Sequence, residues 1–186
     1  MIKYIYILAI FYLMACRPTI NQKRSIEIQQ DNDAEILWHS NRKLSWNDFI
    51  GVPKEEDKGS KIAITQCQIR IIDSYWDNNL PKYRIGTYFI KSKSWTIVKD
   101  SITLSHEQLH FDIYELYTRR IREEFEKLNL KKVTDFKSYN EIYTKLVNKA
   151  IEINRQYDNE VYFNDLKQQE WITKIANQLE ELKEYE

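Results

Sequence analysis

The chain has 186 residues, with 28 Lys and Arg balanced by 28 Asp and Glu, and 13 % of its residues are aromatic. A net charge of zero argues against nucleic acid as a main partner, because phosphate binding requires a positive excess. The aromatic content argues against a disordered chain, and the length is sufficient for one domain with a hydrophobic core.

The first elements predicted along the chain are a signal segment and a tether. Residues 4–15 form an apolar run without charge, which is too short to span a bilayer but has the length of a signal-peptide core. The run ends in Leu13-Met14-Ala15-Cys16, which resembles a bacterial lipobox, in which the cysteine carries the lipid; a plain signal peptide and a buried strand are the alternatives. We therefore expect residues 1–15 to be a lipoprotein signal peptide and residues 16–34 to tether a single domain, residues 35–186, to a membrane of the cell envelope, on its periplasmic or outer face.

Three segments with alternating or β-branched patterns then predict strands. Residues 61–73 alternate apolar and polar side chains, with a slip near Thr65 and Gln66 that predicts a bulge. Residues 83–91 and 94–98 are rich in β-branched and aromatic side chains. Cys67 lies in the first of these strands and is predicted to be a buried small hydrophobic residue.

The period changes to that of a helix from Asp100 or Ser101, either of which can cap its start. Helices are predicted over about residues 101–128, 137–162 and 164–184. Arg119 is expected on the solvated side or paired with acidic neighbours. Strands followed by helices indicate the α+β class, with an N-terminal antiparallel sheet ahead of the helical part.

The first helix carries His106-Glu107-Gln108-Leu109-His110. Positions four apart share one face of a helix, so both imidazoles can bind one Zn²⁺ ion. Glu107 lies beside that face, where a base could take a proton from a water molecule activated by the metal. The pattern is short and two surface histidines would produce it by chance. However, the chain has only 3 histidines, and the third, His39, is better explained as a surface residue.

The chain resembles the bacterial domain of unknown function 922 family, whose members are described as secreted zinc-dependent proteases. The resemblance implies a zincin-like fold but gives no substrate; a peptide or protein substrate is what we expect of a metallopeptidase. It rests on segments between about residues 38 and 175, namely Leu44–Phe49, Lys93–Trp95, His106–Ile113, Arg119, Tyr157-Asp158, Gln169 and Trp171.

The third zinc ligand is left open between two carboxylates of the second helix. The family pattern stresses Asp158, whereas Glu160 falls inside the apolar stripe of the predicted helix; Glu115 points away from both histidines. The family pattern also has a threonine and often a histidine at the positions of Val161 and Phe163. A histidine ligand is therefore excluded there, which makes the third ligand a carboxylate or the site a weakened one.

Further site residues follow from the zincin comparison. A strand ahead of the motif helix would pair with an extended substrate, so Trp95, Thr96 and Ile97 are candidate substrate-binding residues. Tyr157 could donate a hydrogen bond to a developing oxyanion, with core packing as the alternative. Asp112 could orient a histidine of the site, or lie exposed.

The leading hypothesis is a lipid-anchored zinc metallopeptidase that hydrolyses peptide bonds through a water molecule activated by zinc. A catalytically weakened lipoprotein of the same fold, with a binding or structural role in the envelope, is the alternative, and Phe163 favours it. A zinc hydrolase that acts on cell-wall amides is a third.

Overall fold

The computed structural model describes residues 33–186. The signal segment, the lipobox with Cys16 and most of the predicted tether lie outside these residues. Among the described residues, no helix combines the length and the apolar character that crossing a membrane requires.

The strands of residues 33–186 form two small antiparallel sheets. Strands β1 (Glu35–Leu37), β4 (Leu80–Ile90) and β3 (Cys67–Asp77) form one sheet in the order β1-β4-β3, while β2 (Ala63–Ile64) pairs with β5 (Trp95–Thr96) in the other. The predicted bulge at residues 65–66 is wrong, because the chain passes there from one sheet to the other. The register shift of β3 lies between Ile71 and Asp73.

The turn between β3 and β4 follows from its two asparagines. Asn78 and Asn79 both have positive φ angles, 48° and 59°, which a two-residue hairpin turn requires and which asparagine tolerates better than most residues. The turn joins two strands of 11 residues each, longer at this end than the sequence pattern indicates.

Three helices follow the strands in the described part of the chain: α1 (Ser101–Leu130), α2 (Phe136–Val161) and α3 (Asp165–Glu181). Asp100 caps α1, since its carboxylate accepts a hydrogen bond from the Thr103 backbone at 2.8 Å. The α+β class is thus confirmed, with the sheet first and the helices after it.

Helix α1 is the centre of the fold. It packs on β3 and β4 on one side and on α2 and α3 on the others. Most of its buried apolar residues belong to the larger of two apolar clusters, and Phe111 belongs to the smaller one. Trp38, Leu44 and Phe49 belong to the smaller cluster, which also contains Phe89 and Phe111. The aromatic segment before the first predicted strand therefore forms part of the core.

Arg119 is buried, with only 2 % of its surface exposed, so of the two expectations the solvated position is wrong and the pairing with an acidic neighbour is confirmed. Its guanidinium contacts Glu115 at 3.2 Å and Glu186 at 2.9 Å and donates to the Leu179 carbonyl at 2.8 Å. These contacts attach the C-terminal end of the chain to the middle of α1.

Candidate metal centre

His106 and His110 lie one turn apart on the half-buried face of α1. Their Nε2 atoms are 3.0 Å apart, and the two rings are nearly perpendicular, with an interplanar angle of 83°. The spacing of four residues places both imidazoles over the same surface patch, as a helix requires.

Asp158 of α2 completes a cluster of three potential ligands. Its Oδ1 atom lies 3.2 Å from Nε2 of His106 and 3.0 Å from Nε2 of His110. Ligands of tetrahedral zinc at about 2.0–2.2 Å are separated by about 3.3–3.6 Å. An ion would thus fit after the donor atoms part by a few tenths of an ångström. The Asp158 side chain is 54 % exposed, so the centre opens to solvent.

The antiparallel pairing of α1 and α2 explains why these residues meet. A turn over residues 131–135 joins the two helices, and so short a connection makes them antiparallel neighbours. His110 and Asp158 each lie about 20 residues from that turn, roughly 30 Å along each helix axis. The two helices therefore bring the motif and Asp158 to the same level.

Asn154 is a site residue that the sequence analysis missed. Its Oδ1 atom lies 2.7 Å from Nδ1 of His110, while its Nδ2 donates to the Ala150 carbonyl at 2.8 Å. Because the amide oxygen only accepts, Nδ1 of His110 carries the proton and Nε2 of the neutral ring keeps its lone pair toward the cluster. The available signal was position, since Asn154 precedes Asp158 by one helical turn.

The charges of the cluster reinforce one another. Burial lowers the pKa of His110, but hydrogen bonding to Asp158 and the charge of Glu107 outweigh that effect and raise the pKa to about 9. Burial raises the pKa of Asp158, and the two imidazoles overcome this and hold it well below its usual value. Without a metal ion, His110 and Asp158 therefore form an ion pair.

Glu107 is buried against the sheet side of α1, with 4 % of its surface exposed. Its Oε2 atom has no hydrogen-bond partner among the described residues, although a buried carboxylate oxygen normally has one. The Thr65 hydroxyl donates to the Glu107 backbone carbonyl at 3.3 Å, which ties this turn of α1 to the end of β2.

Tyr157 covers the cluster from α2. Its ring stacks on His106 at a centroid distance of 4.7 Å and meets His110 edge-on at 5.2 Å. Its hydroxyl is buried without a hydrogen-bond partner among the described residues. Burial, followed by the charges of Glu107 and Asp158, raises the pKa of Tyr157. The hydroxyl therefore stays protonated and can donate a hydrogen bond.

Glu160 does not join the cluster. Its carboxylate accepts hydrogen bonds from Gln156 at 2.6 Å and from the Trp171 indole at 2.9 Å. The structure thus places Asp158, not Glu160, beside the histidines. The stripe of α2 that faces α1 contains Ala150, Asn154, Tyr157 and Val161. The face that the apolar periodicity predicted is therefore rotated about the helix axis, toward Glu160, from the face that is buried.

Two other acidic residues of α1, Asp112 and Glu115, have partners elsewhere in the described part of the chain. Asp112 accepts hydrogen bonds from the Trp38 indole at 2.7 Å and from Gln108 at 2.9 Å. The suggested role of Asp112 in orienting a histidine is therefore wrong, because its position two residues after His110 turns it to the opposite face of the helix. Glu115 is buried and pairs with Arg119 and Arg122.

The predicted substrate-binding strand is only two residues long and already has one partner. Thr96 pairs with Ala63 and Trp95 with Ile64, and the Trp95 side chain is 3 % exposed. The Trp95 side chain therefore belongs to the core, which leaves only its backbone for the predicted pairing with a substrate. Ile97 is 64 % exposed, so it remains available at the surface.

The two positions that depart from the family pattern lie at the end of α2. Val161 is buried, whereas Phe163 is 92 % exposed and has a positive φ angle of 51°. Neither belongs to the cluster of His106, His110 and Asp158. Comparisons with family models, with curated proteins and with solved structures gave no match to the chain.

Proposed function

We propose that the chain is a zinc-dependent hydrolase of peptide bonds with a zincin-like centre, held in the cell envelope through a lipid on Cys16. The proposal rests chiefly on the convergence of His106, His110 and Asp158 to within 3.2 Å, together with a buried carboxylate oxygen of Glu107 that has no hydrogen-bond partner in residues 33–186. The resemblance to the domain of unknown function 922 family and the HExxH spacing add support from the sequence. Two imidazoles and a carboxylate suit zinc, although other divalent metals accept the same donors.

Each residue of the centre has a separate role in the proposed hydrolysis. A bound zinc ion would polarise the substrate carbonyl and lower the pKa of a water molecule. Oε2 of Glu107, which no described residue hydrogen-bonds, is the base that accepts the proton of the attacking water and can pass it to the leaving amine. The Tyr157 hydroxyl, which keeps its proton, is the donor to the oxygen of the carbonyl as negative charge develops there. Asn154 holds His110 in the tautomer that ligates.

A peptide would approach along the β2–β5 sheet. Residues in a strand direct their backbone groups alternately to the two sides. Trp95 is paired with Ile64, and the Ile97 amide donates to the Ile62 carbonyl. The backbone of Thr96, between them, therefore points away from β2. We assign that edge to the extended backbone of a substrate.

A paired measurement of zinc content and peptide hydrolysis on wild type and Glu107→Gln tests the proposal. Gln has the shape of Glu but is no base, so the variant should retain zinc and lose about 10²–10⁴-fold in kcat. Glu141→Gln, an exposed change on α2, is the control and should leave both quantities unchanged. Full activity of a zinc-loaded Glu107→Gln protein would refute the mechanism.

The second candidate is a weakened enzyme with a binding or structural role in the envelope. The departures at Val161 and Phe163 from the family pattern favour it. A wild-type protein that binds zinc stoichiometrically, yet cleaves neither unfolded protein nor peptide libraries, would support this role over the first.

A further inference from the structure

A cavity of about 510 Å³ lies on the face of α1 opposite the candidate metal centre. Leu104, Gln108 and Asp112 line it at intervals of four residues, a set displaced by two positions from His106 and His110 and thus about 200° around the helix. Helix α3 and residues 38–44 supply the other walls. The volume lies within the range of small-molecule sites, about 300–1,000 Å³.

The apolar residues that line this cavity include Leu44, Leu104 of α1, and Ile172, Ala176 and Leu179 of α3. Such a lining suits an aliphatic or aromatic chain, because removing apolar surface from water is favourable.

The polar end is built around Asp112, whose orientation is fixed. Its Oδ1 atom accepts from the Trp38 indole at 2.7 Å and from Gln108 at 2.9 Å, and Gln108 is itself held by the Leu44 amide at 2.7 Å. Only 13 % of the Asp112 side chain is exposed. The carboxylate is therefore a preorganised acceptor in the lining of the cavity.

The other oxygen, Oδ2, faces a loosely held cation. Nζ of Lys43 lies 3.7 Å from it, longer than a direct hydrogen bond, and the Lys43 side chain is 60 % exposed. The same Nζ lies 5.9 Å from the centre of the Trp38 ring. An exposed ammonium group at this distance costs little to displace.

The charges around the cavity favour a cation over an anion. Asp112, Glu180 and Glu186 line it. Of the two basic residues there, Arg119 is engaged by Glu115, Glu186 and the Leu179 carbonyl. Lys43 is the cation that a ligand would replace.

We propose that this cavity binds a primary alkylammonium group, with its charge at Oδ2 of Asp112 in place of Lys43 and its apolar chain between α1 and α3. The Trp38 ring and the Asp112 carboxylate form the ends of the ammonium subsite, and Leu104, Ile172 and Leu179 hold the chain. A free aliphatic amine and the lysine side chain of a peptide share this chemistry. The site is independent of metal binding.

The test is a titration of the purified protein with n-hexylamine. Binding is measured as the change in chemical shift of the Trp38 indole N–H signal in NMR spectra. Hexan-1-ol and hexanoate are the neutral and anionic controls of equal length. We expect hexylamine to bind with an affinity of about millimolar, which is typical of a ligand this small. It should bind at least about tenfold more tightly than hexanol, with hexanoate weakest, because only the amine gains the charge-assisted contact.

Three variants make the test decisive. Asp112→Asn should reduce hexylamine binding to the level of hexanol, and Lys43→Met should strengthen it because the competing ammonium is gone. Ala176→Phe, at an exposed position of α3 that lines the cavity, should abolish binding of both without removing a polar contact. Equal affinities for amine and alcohol, or hexylamine binding unchanged in Asp112→Asn and Ala176→Phe, would overturn the proposal.

A blocked dipeptide amide with one lysine distinguishes the two sources of the alkylammonium group. If it binds as hexylamine does, the lysine side chain of a peptide suffices. If only hexylamine binds, the ligand is a free amine.

Discussion

Nδ1 of His110 lies 2.7 Å from Oδ1 of Asn154, and this contact fixes which ring nitrogen faces the candidate metal centre. Asn154→Ala should therefore weaken zinc binding by about 10–100-fold, the usual cost of losing such a partner. Asn129→Ala is a matched control, because Asn129 also donates to the carbonyl four residues earlier, at 2.8 Å, but at the far end of α1. Zinc affinities measured by competition with a chelator should separate the two variants; equal affinities would remove Asn154 from the site.

Asp158 and Glu160 give opposite predictions although they are two residues apart. Asp158→Asn removes the carboxylate beside both histidines. It should weaken zinc binding by more than about 100-fold, which is the largest loss usual when a residue that hydrogen-bonds a metal ligand is removed. Glu160→Gln should leave it unchanged, since that side chain contacts Gln156 and Trp171. Zinc content after gel filtration, determined by mass spectrometry, checks this. Zinc lost from Glu160→Gln but retained by Asp158→Asn would reverse the assignment.

The pKa of His110, about 9 without metal, predicts how zinc and protons compete. Zinc needs the neutral imidazole, so its apparent affinity should fall as pH decreases from 9, by up to about tenfold per unit for one released proton. Calorimetry at pH 7.5 in buffers of different ionisation enthalpy would count that proton. An affinity that stays constant between pH 6.5 and 8.5 would contradict the ion pair with Asp158.

The metal-free protein should respond to pH in the opposite direction. Because the folded pKa of His110 is raised above 6.5, its ion pair contributes full stability below about pH 6.5 and loses it as pH rises through about 9. The lowered pKa of Asp158 sets the acid limit, because its contribution is present above about pH 4 and lost below. Urea unfolding in the presence of a chelator, compared with His110→Gln, isolates this contribution as the pH-dependent difference between the two proteins.

Arg119→Met should destabilise the fold strongly. The change leaves the 2 % exposed Glu115 with one cationic partner instead of two, and it removes the ion pair of Glu186 and the donor to the Leu179 carbonyl. Breaking a buried pair in this way costs about 3–5 kcal/mol of the free energy of unfolding. The neighbouring Arg120→Met, on a half-buried position over Tyr117, should cost less than about 1 kcal/mol. Denaturant titrations of both variants provide the comparison, and equal losses would mean that the Arg119 network contributes little.

Membrane attachment can be tested with the two cysteines of the chain. Cys16→Ser should release the protein from the membrane fraction, because no thiol remains for a lipid at that position, while Cys67→Ala should stay with the membrane. A Cys16→Ser protein that resists a high-salt wash would exclude the lipobox interpretation.

Much of the fold could be predicted because local signals agreed with it. Asp100 caps the motif helix as its side chain allows, and the two asparagines before Pro81 form the hairpin turn. The segment at Thr65 and Gln66 was misinterpreted, because a break in alternation has the same signature in a bulged strand and in two strands of different sheets. Only long-range pairing, with β5 for β2 and with β4 for β3, distinguishes them.

The candidate site was predictable to the extent that it is local. His106 and His110 follow from spacing on one helix, whereas the choice of Asp158 over Glu160 depends on the rotation of α2 about its axis. That rotation is set by which residues of α2 meet α1, and the buried Asn154 extends the contact face beyond the apolar stripe. A polar residue that is buried for its hydrogen bonds gives no hydrophobic signal in a sequence.

The division of the donor set between α1 and α2 gives an ion at this centre the topology of a cross-link. It would close the chain between His110 and Asp158, a loop of roughly 50 residues, and a permanent link of that length restricts the unfolded ensemble by about 4 kcal/mol. The turn between the helices closes one end of the pair covalently, and coordination would close the other. A bound ion would thus restrain the end of the helical hairpin that the turn leaves open.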